Sequence, residues 1–263
     1  MELRRLDDYQ SWLVVFRGTG LLIDPWLDER PIAGAFNRLR RPGWTTLADL
    51  ARDDLALGGV LLCAPFDDHL RADTLRAIAD VPVHGNAVSA RAARRIGSTT
   101  THAHPLGLPF EVACRDGGTL RIAATACGLP LGVLANGWWI EAVDADGRDA
   151  GRVWIEPHRP TVAVAVAVAA RGPVDVALLP THAVVAAVLP ITASPRQTSA
   201  AAVASGARLL VPTATDPRRD MSTWQKAVYA VHGGDAATAA HLVGPTRLVA
   251  VQPGDRLSVR DDR

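Results

Sequence analysis

One pattern restricts the fold of this chain more than any other, and it occurs twice: hairpins first, then alternating helices and strands. Trp12 to Phe16 and Gly20 to Asp24 are apolar runs joined by Arg17-Gly18-Thr19, which predicts a β-hairpin. Gly59 to Cys63 (GVLLC) then reads as a strand covered on both faces. Leu70 to Ala79 shows helical spacing, Val81 to His84 a strand, and Asn86 to Ile96 a helix closed by Gly97. In the second half, Phe110 to Cys114 and Thr119 to Ala124 flank the turn Asp116-Gly117-Gly118. Gly137 to Val143 and Arg152 to Glu156 flank Asp144 to Gly151 in the same way. TVAVAVAVAA follows; its alternation carries little information because both residue types are apolar, and it is read as a helix. Val174 to Leu179 and Leu209 to Val211 read as strands around a helix from Ser194 to Ala204, ended by Gly206. Trp224 to Val231 and Ala236 to Leu242 read as helices, and Leu248 to Val251 and Arg256 to Val259 as closing strands.

Two similar halves of this kind predict an α/β fold, an αββα sandwich with two sheets face to face and helices outside, in a single domain over 1–263. A doubly wound nucleotide-binding fold needs more regular alternation, and neither GxGxxG nor GxxxxGK[ST] occurs. Hydrophobic residues make up 48% and charged residues 21%, enough apolar material for a large core. The net charge is +1 and no basic stripe is interleaved with aromatics, so no nucleic-acid partner is expected. No apolar run approaches the roughly 20 residues of a membrane helix, and MELRRLDDYQSW lacks a leader's apolar core. Three widely spaced cysteines, Cys63, Cys114 and Cys127, form no CxxC pair. The expectation is a cytoplasmic protein with no membrane partner and a small-molecule substrate; the oligomeric state is left open. Segment 28–45 is rich in Gly, Pro and Arg and is expected to be an irregular flap.

Chemistry concentrates at a few places. Asp24 ends the apolar run LLIDPW, either at the mouth of a site or as the first residue of an Asx turn. In CAPFDDHL, Asp68 and His69 leave a buried strand just before a helix. A carboxylate beside an imidazole suits a divalent metal or an acid–base pair; equally, Asp68 can cap the helix and leave His69 in solvent. Trp138-Trp139 line an apolar pocket or belong to the core. His84, His102, His104, His232 and His241 are scattered and read as exposed polar positions; His102 and His104 share a face if THAH is a strand.

The first hairpin, LLIDPW and the strand delivering an acidic loop into LRADTLRAI resemble the opening half of the metallo-β-lactamase superfamily. The loop H-x-H-x-D-H of that family falls on Ala64, Phe66, Asp68 and His69, so two of its four residues are kept and the imidazoles of its first metal site are lost. AATACGLPLGVLANGWWIE stands where a His-bearing third motif belongs, with Cys127 the nearest ligand type. RVWIEPH puts Pro157 and His158 where a metal-bridging Gly-Asp is usual, with Glu156 just before. Asp175 in GPVDVALLP matches a position that is structural in the family, and Thr213 and Ala214 stand where the last ligand histidine would follow a strand. The likeness covers most of residues 11–259 and is to a divergent branch, distantly similar to lactonase-like and phospholipase-like hydrolases.

That resemblance implies a hydrolase-like enzyme with at most one divalent metal, zinc or iron, acting on a small ester, lactone or amide. The implied ligands are Asp68, His69 and His158, with Glu156 or His182 as a further donor; Asp68, His158 and Glu156 are the catalytic candidates, and Asp24, Trp138 and Trp139 the substrate contacts. Two alternatives stay open. One is a metal-free protein that binds a small molecule or does acid–base chemistry as an isomerase or lyase, with Asp68 and His158 as the pair; the other is a non-catalytic scaffold. Cys127 reads as a buried, inert thiol.

Overall fold

The computed structural model describes residues 1–28, 45–214, 216–219, 221 and 223–260. The flap expected at 28–45 therefore lies, apart from its two end residues, outside the described residues. The first half runs β1 (Glu2–Arg5), β2 (Trp12–Phe16), β3 (Thr19–Ile23), α1 (Leu47–Ala51), β4 (Ala56–Leu61), α2 (Ala72–Ala77), β5 (Val83–Gly85), α3 (Ala87–Ile96) and β6 (Thr101–Ala103). The second runs β7 (Pro109–Ala113), β8 (Thr119–Ala126), β9 (Asn136–Val143), β10 (Asp149–Ile155), α4 (Val162–Ala169), β11 (Val176–Leu179), β12 (His182–Ala186) and β13 (Leu189–Pro190). It ends with α5 (Pro195–Ala204), β14 (Leu209–Pro212), α6 (Thr223–Val228), β15 (Tyr229–Gly233), α7 (Asp235–Ala239), β16 (Arg247–Leu248) and β17 (Arg256–Ser258).

The strands form two seven-stranded sheets, ordered β17-β1-β2-β3-β4-β5-β6 and β16-β14-β11-β10-β9-β8-β7. In each, antiparallel hairpins give way to parallel strands joined by helices, as at β3-β4-β5-β6 and β10-β11-β14. The pleat sorts side chains between layers. Trp12, Val14, Leu21 and Ile23 from one sheet meet Ile122, Trp138, Ile140 and Val153 from the other in a central core. Leu13, Leu22, Val60 and Leu62 face out and pack with Leu75 of α2 and Ala93 of α3. Trp139, Trp154 and Leu210 face the other way, toward Ala165 and Val168 of α4 and Ala201 of α5. The result is the expected αββα arrangement. No helix among the described residues is long and apolar enough to cross a membrane.

Helix ends follow local chemistry. Asn86 and Ser194 each accept the backbone N–H of N3, and Ser194 with Gln197 completes a capping box. TVAVAVAVAA is the helix α4, capped by Thr161. One local expectation yields to tertiary pairing. The helix read over Trp224 to Val231 stops at Val228, because Tyr229–Gly233 pairs antiparallel with His182–Ala186, with Val184 opposite Val231. Those strands and β13 make a third, three-stranded sheet that no sequence signal announced. The N-terminal Glu2–Arg5 is likewise a strand, held between β2 and β17.

The histidines of the first half are not scattered. His84 is buried, its Nδ1 lies 2.9 Å from Nε2 of His104, and His102 stacks at 5.1 Å between ring centroids. Phe110 stacks on both His84 and His104. The parallel pairing of β5 with β6 sets His84 opposite His102, which the spacing along the chain cannot convey. His232 and His241 are exposed as expected.

Candidate active site

The site is built from the ends of β3, β4, β8 and β10, where both sheets release their chains at one edge. After β3, Asp24 adopts a left-handed backbone with φ of 44°, a conformation Asp tolerates better than most residues. Its carboxylate is fully buried. Oδ1 accepts the Cys63 N–H at 2.7 Å, and Oδ2 meets Nδ1 of His69 at 2.8 Å. Asp24 thus fixes the ring of His69 from behind; it does not line the cavity described below, and the substrate contact expected of it gives way to this anchoring role.

His69 is itself buried, and its Nε2 has no hydrogen-bond partner; Oδ2 of Asp68 lies 3.8 Å away. Burial opposes a charge on this imidazole, but Asp24 and Asp68 together outweigh it and raise the pKa to about 9. Asp68 accepts the Tyr9 hydroxyl at 2.5 Å. Partial burial works to raise the Asp68 carboxyl, yet His69, the Tyr9 hydrogen bond and His158 hold it below the usual range. Asp68 does not cap a helix, because α2 starts at Ala72 with Arg71 at its N-cap.

From the opposite sheet, β10 ends at Ile155 and delivers Glu156, Pro157 and His158. Glu156 is fully buried; its Oε1 accepts the N–H of His158 at 2.8 Å and of Arg159 at 3.2 Å, and its Oε2 has no partner. Nδ1 of His158 is also unpartnered, 3.7 Å from Oε1 of Glu156. The rings of His69 and His158 lie 4.6 Å apart, so the two halves of the chain do meet here. Cys127, just beyond β8, completes a set. Cys127, Glu156 and His158 each offer a ligand atom, and all three atoms lie within 4.8 Å of one another.

A buried hydrogen-bonding atom left unpaired costs about 1–3 kcal/mol, and this set contains two such atoms, Glu156 Oε2 and His158 Nδ1. One cation would satisfy both, and a mixed sulfur, oxygen and nitrogen set suits zinc or iron. The residues therefore fit a single ion. They do not fit a pair. Ala64 is fully buried and clusters with Cys127 and Ala135, and Phe66 and Leu131 pack against them. The ring of Phe66 meets His69 and His158 edge-on at 6.5 and 6.4 Å. Apolar side chains thus fill the place of the two imidazoles lost from the loop motif.

Cys127 was expected to be inert. Burial first, then the neighbouring Glu156, push its thiol well up from the ordinary range, in keeping with an inert thiol, while its sulfur lies in the group that could hold a metal ion. His182 lines the same cavity, but its ring faces elsewhere. Nδ1 is 3.4 Å from the Thr181 hydroxyl and Nε2 is 3.9 Å from Asp216, outside the buried donor set. Burial lowers its pKa. Trp138 and Trp139, adjacent in sequence, point to opposite faces of β9. Trp138 lies in the central core with its N–H on the Leu62 carbonyl, and Trp139 lies in the outer layer under Arg171. Neither lines the cavity, so both are core residues and not substrate contacts.

The cavity above these groups has a volume of about 540 Å³, within the range of small-molecule sites. Asp68 and His158 sit in its wall, Tyr9 and Thr213 beside them, and β12 and Tyr229 on the far side. Tyr9 and Tyr229 are the contributions that sequence reading missed. Tyr9 lies in a stretch that carried no motif, and Tyr229 lies at a strand read as helix.

No family model matches this sequence, and no curated protein matches it. Solved structures do. The isothiocyanate hydrolase from Delia radicum gut bacteria is similar over 98% of both chains at 17% identity, with a TM-score of 0.65. A metallo hydrolase from the archaeon Ignicoccus hospitalis is similar over 97% of both chains at 17% identity, TM-score 0.64. The metallo-β-lactamase fold protein YhfI from Bacillus subtilis is similar over 97% of this chain and 98% of its own at 11% identity, TM-score 0.61. The chain has the metallo-β-lactamase fold. Within that fold, the described residues present a buried Cys/Glu/His group able to bind one metal ion.

Proposed function

We propose that this protein is a one-metal hydrolase that opens a small ester, lactone or amide. The observation that carries the reading is the pair of unpartnered buried atoms, Glu156 Oε2 and His158 Nδ1, beside Cys127, with His158 the member of the set that reaches the cavity wall. Cys127, Glu156 and His158 would hold the ion. When bound, zinc or iron supplies a Lewis acid and a water of lowered pKa.

The other groups act directly. Asp68, kept ionised by His69 and Tyr9, accepts a proton from attacking water and returns it to the leaving group. His69, braced by Asp24, holds Asp68 in place and balances its charge. Phe66 and Leu131 narrow the floor and exclude bulk water. Hydrolysis by similar proteins of known structure agrees with this assignment without fixing a substrate.

A second reading rests on the chain Asp24–His69–Asp68–Tyr9, which supports acid–base chemistry with no metal at all. The two separate cleanly. Protein produced without a histidine tag is assayed on p-nitrophenyl butyrate before and after dialysis against a chelator. The hydrolase reading predicts at least a hundredfold loss, restored by zinc or iron; activity unchanged by the chelator favours the metal-free chain.

A further inference from the structure

The cavity has a charge character of its own, and it narrows the substrate class of the hydrolase reading, on which this inference rests. The chain has 28 arginines and lysines against 27 acidic residues. Among the described residues that line the cavity, none is an arginine or a lysine, whereas Asp67 and Asp68 both are lining residues. Of the nearby cations, Arg218 pairs with Asp216, and Arg159 lies behind the wall on the side of Cys127, not lining the cavity. Most of the remaining wall is carbon, including Phe66, Leu131, Val184, Ile191 and Met221.

An anion entering such a space loses its hydration and meets Asp67 and Asp68 in the wall, while the neighbouring His69 lies behind Asp68 and is shared between Asp68 and Asp24. The Tyr9 hydroxyl already donates to Asp68, and a hydroxyl such as that of Thr213 cannot neutralise a charge. A dication held by the Cys127 thiolate and the Glu156 carboxylate would be neutral as a unit, and His69 alone stands between the carboxylates of Asp24 and Asp68, so negative charge at Asp68 would persist with the metal in place. Uncharged carbon-rich molecules suffer none of these penalties and gain from burial.

We infer that the cavity selects uncharged, predominantly apolar acyl compounds and rejects their carboxylate and phosphate counterparts. The test is displacement of Nile red, a neutral dye, from the intact protein at pH 7.5 by methyl hexanoate and by hexanoate, which differ in charge and little else. Methyl hexanoate is expected to displace the dye saturably, and hexanoate at least tenfold more weakly. Asp68→Asn is expected to tighten hexanoate about tenfold while moving methyl hexanoate by less than twofold. Leu131→Arg, at a half-buried wall position, supplies the missing cation and is a second route to the same gain should Asp68→Asn fold poorly. Hexanoate binding as tightly as its methyl ester, no saturable binding of the ester, or no gain for hexanoate in a folded variant overturns the inference. The readout is binding, so an ester that binds and is never cleaved contradicts the hydrolase reading and leaves the selectivity standing.

Discussion

Asp24 is a carboxylate with no access to solvent, and two donors, the Cys63 N–H and the His69 ring, depend on it. Removing one partner of a buried pair leaves the other charged group uncompensated, at a cost of roughly 3–5 kcal/mol. Asp24→Ala is therefore expected to lower the free energy of urea unfolding by about that amount, and a change below about 1 kcal/mol would contradict the anchoring role. Tyr9 works on a different quantity. Its hydroxyl helps hold the Asp68 carboxyl down, so Tyr9→Phe raises that pKa and moves the acidic limb of the rate profile to higher pH. Hydrolysis of p-nitrophenyl butyrate followed from pH 4 to 8 reads the shift; an unmoved acidic limb would separate Tyr9 from catalysis. At this scale the sequence was partly legible. Asp68, His69 and His158 stood out because ligand-type residues at strand ends are informative even when a motif is eroded. Cys127 is recognisable as a ligand type but reads as inert, and Tyr9 carries no signal, because their roles arise from neighbours 29 and 59 positions away, Glu156 and Asp68.

Edges of the sheets carry the element-scale consequences. The pairing of β5 and β6 gathers His84, His102 and His104 against Phe110, and burial, followed by the two neighbouring imidazoles, lowers the His84 pKa from 6.5 to about 3. The unfolded chain takes up that proton near pH 6.5 and the folded chain only near 3. The stabilisation from neutral His84 is thus complete above pH 6.5 and is lost as pH falls from 6.5 toward 3, by up to about 1.4 kcal/mol per pH unit. Urea titrations at pH 7.5, 5.5 and 4.5 should show this decline, and His84→Phe should flatten it; an equal slope in the variant would contradict the assignment. Elements set by local signals were readable: hairpin turns at Asp116-Gly117-Gly118, the Asn86 and Ser194 caps, and the short apolar strand before Cys63. The β12–β15 pairing was not, since strands 47 residues apart choose each other by tertiary fit and Tyr229–Gly233 has no strand-like alternation of its own.

Two sheets, face to face, bring together strand ends that lie nearly ninety positions apart, and the whole molecule is what makes Asp68, His69 and His158 neighbours. The fold was legible from the repeated order of hairpins and strand–helix units, because that order has few packings. The facing of Trp138 and Trp139 was legible only through Glu141, which shares the outer face of the strand with Trp139 and was not read as a marker. At the same scale, the erosion of the loop motif has a structural counterpart in the Ala64, Phe66 and Cys127 cluster, which occupies space that a two-metal centre would need. One ion, on Cys127, Glu156 and His158, is the centre this account requires. Plasma emission analysis of untagged protein and of His158→Ala tests it most directly. The expected result is one equivalent of zinc or iron per chain, lost in the variant; a metal-free protein, or one carrying two equivalents, would contradict the account.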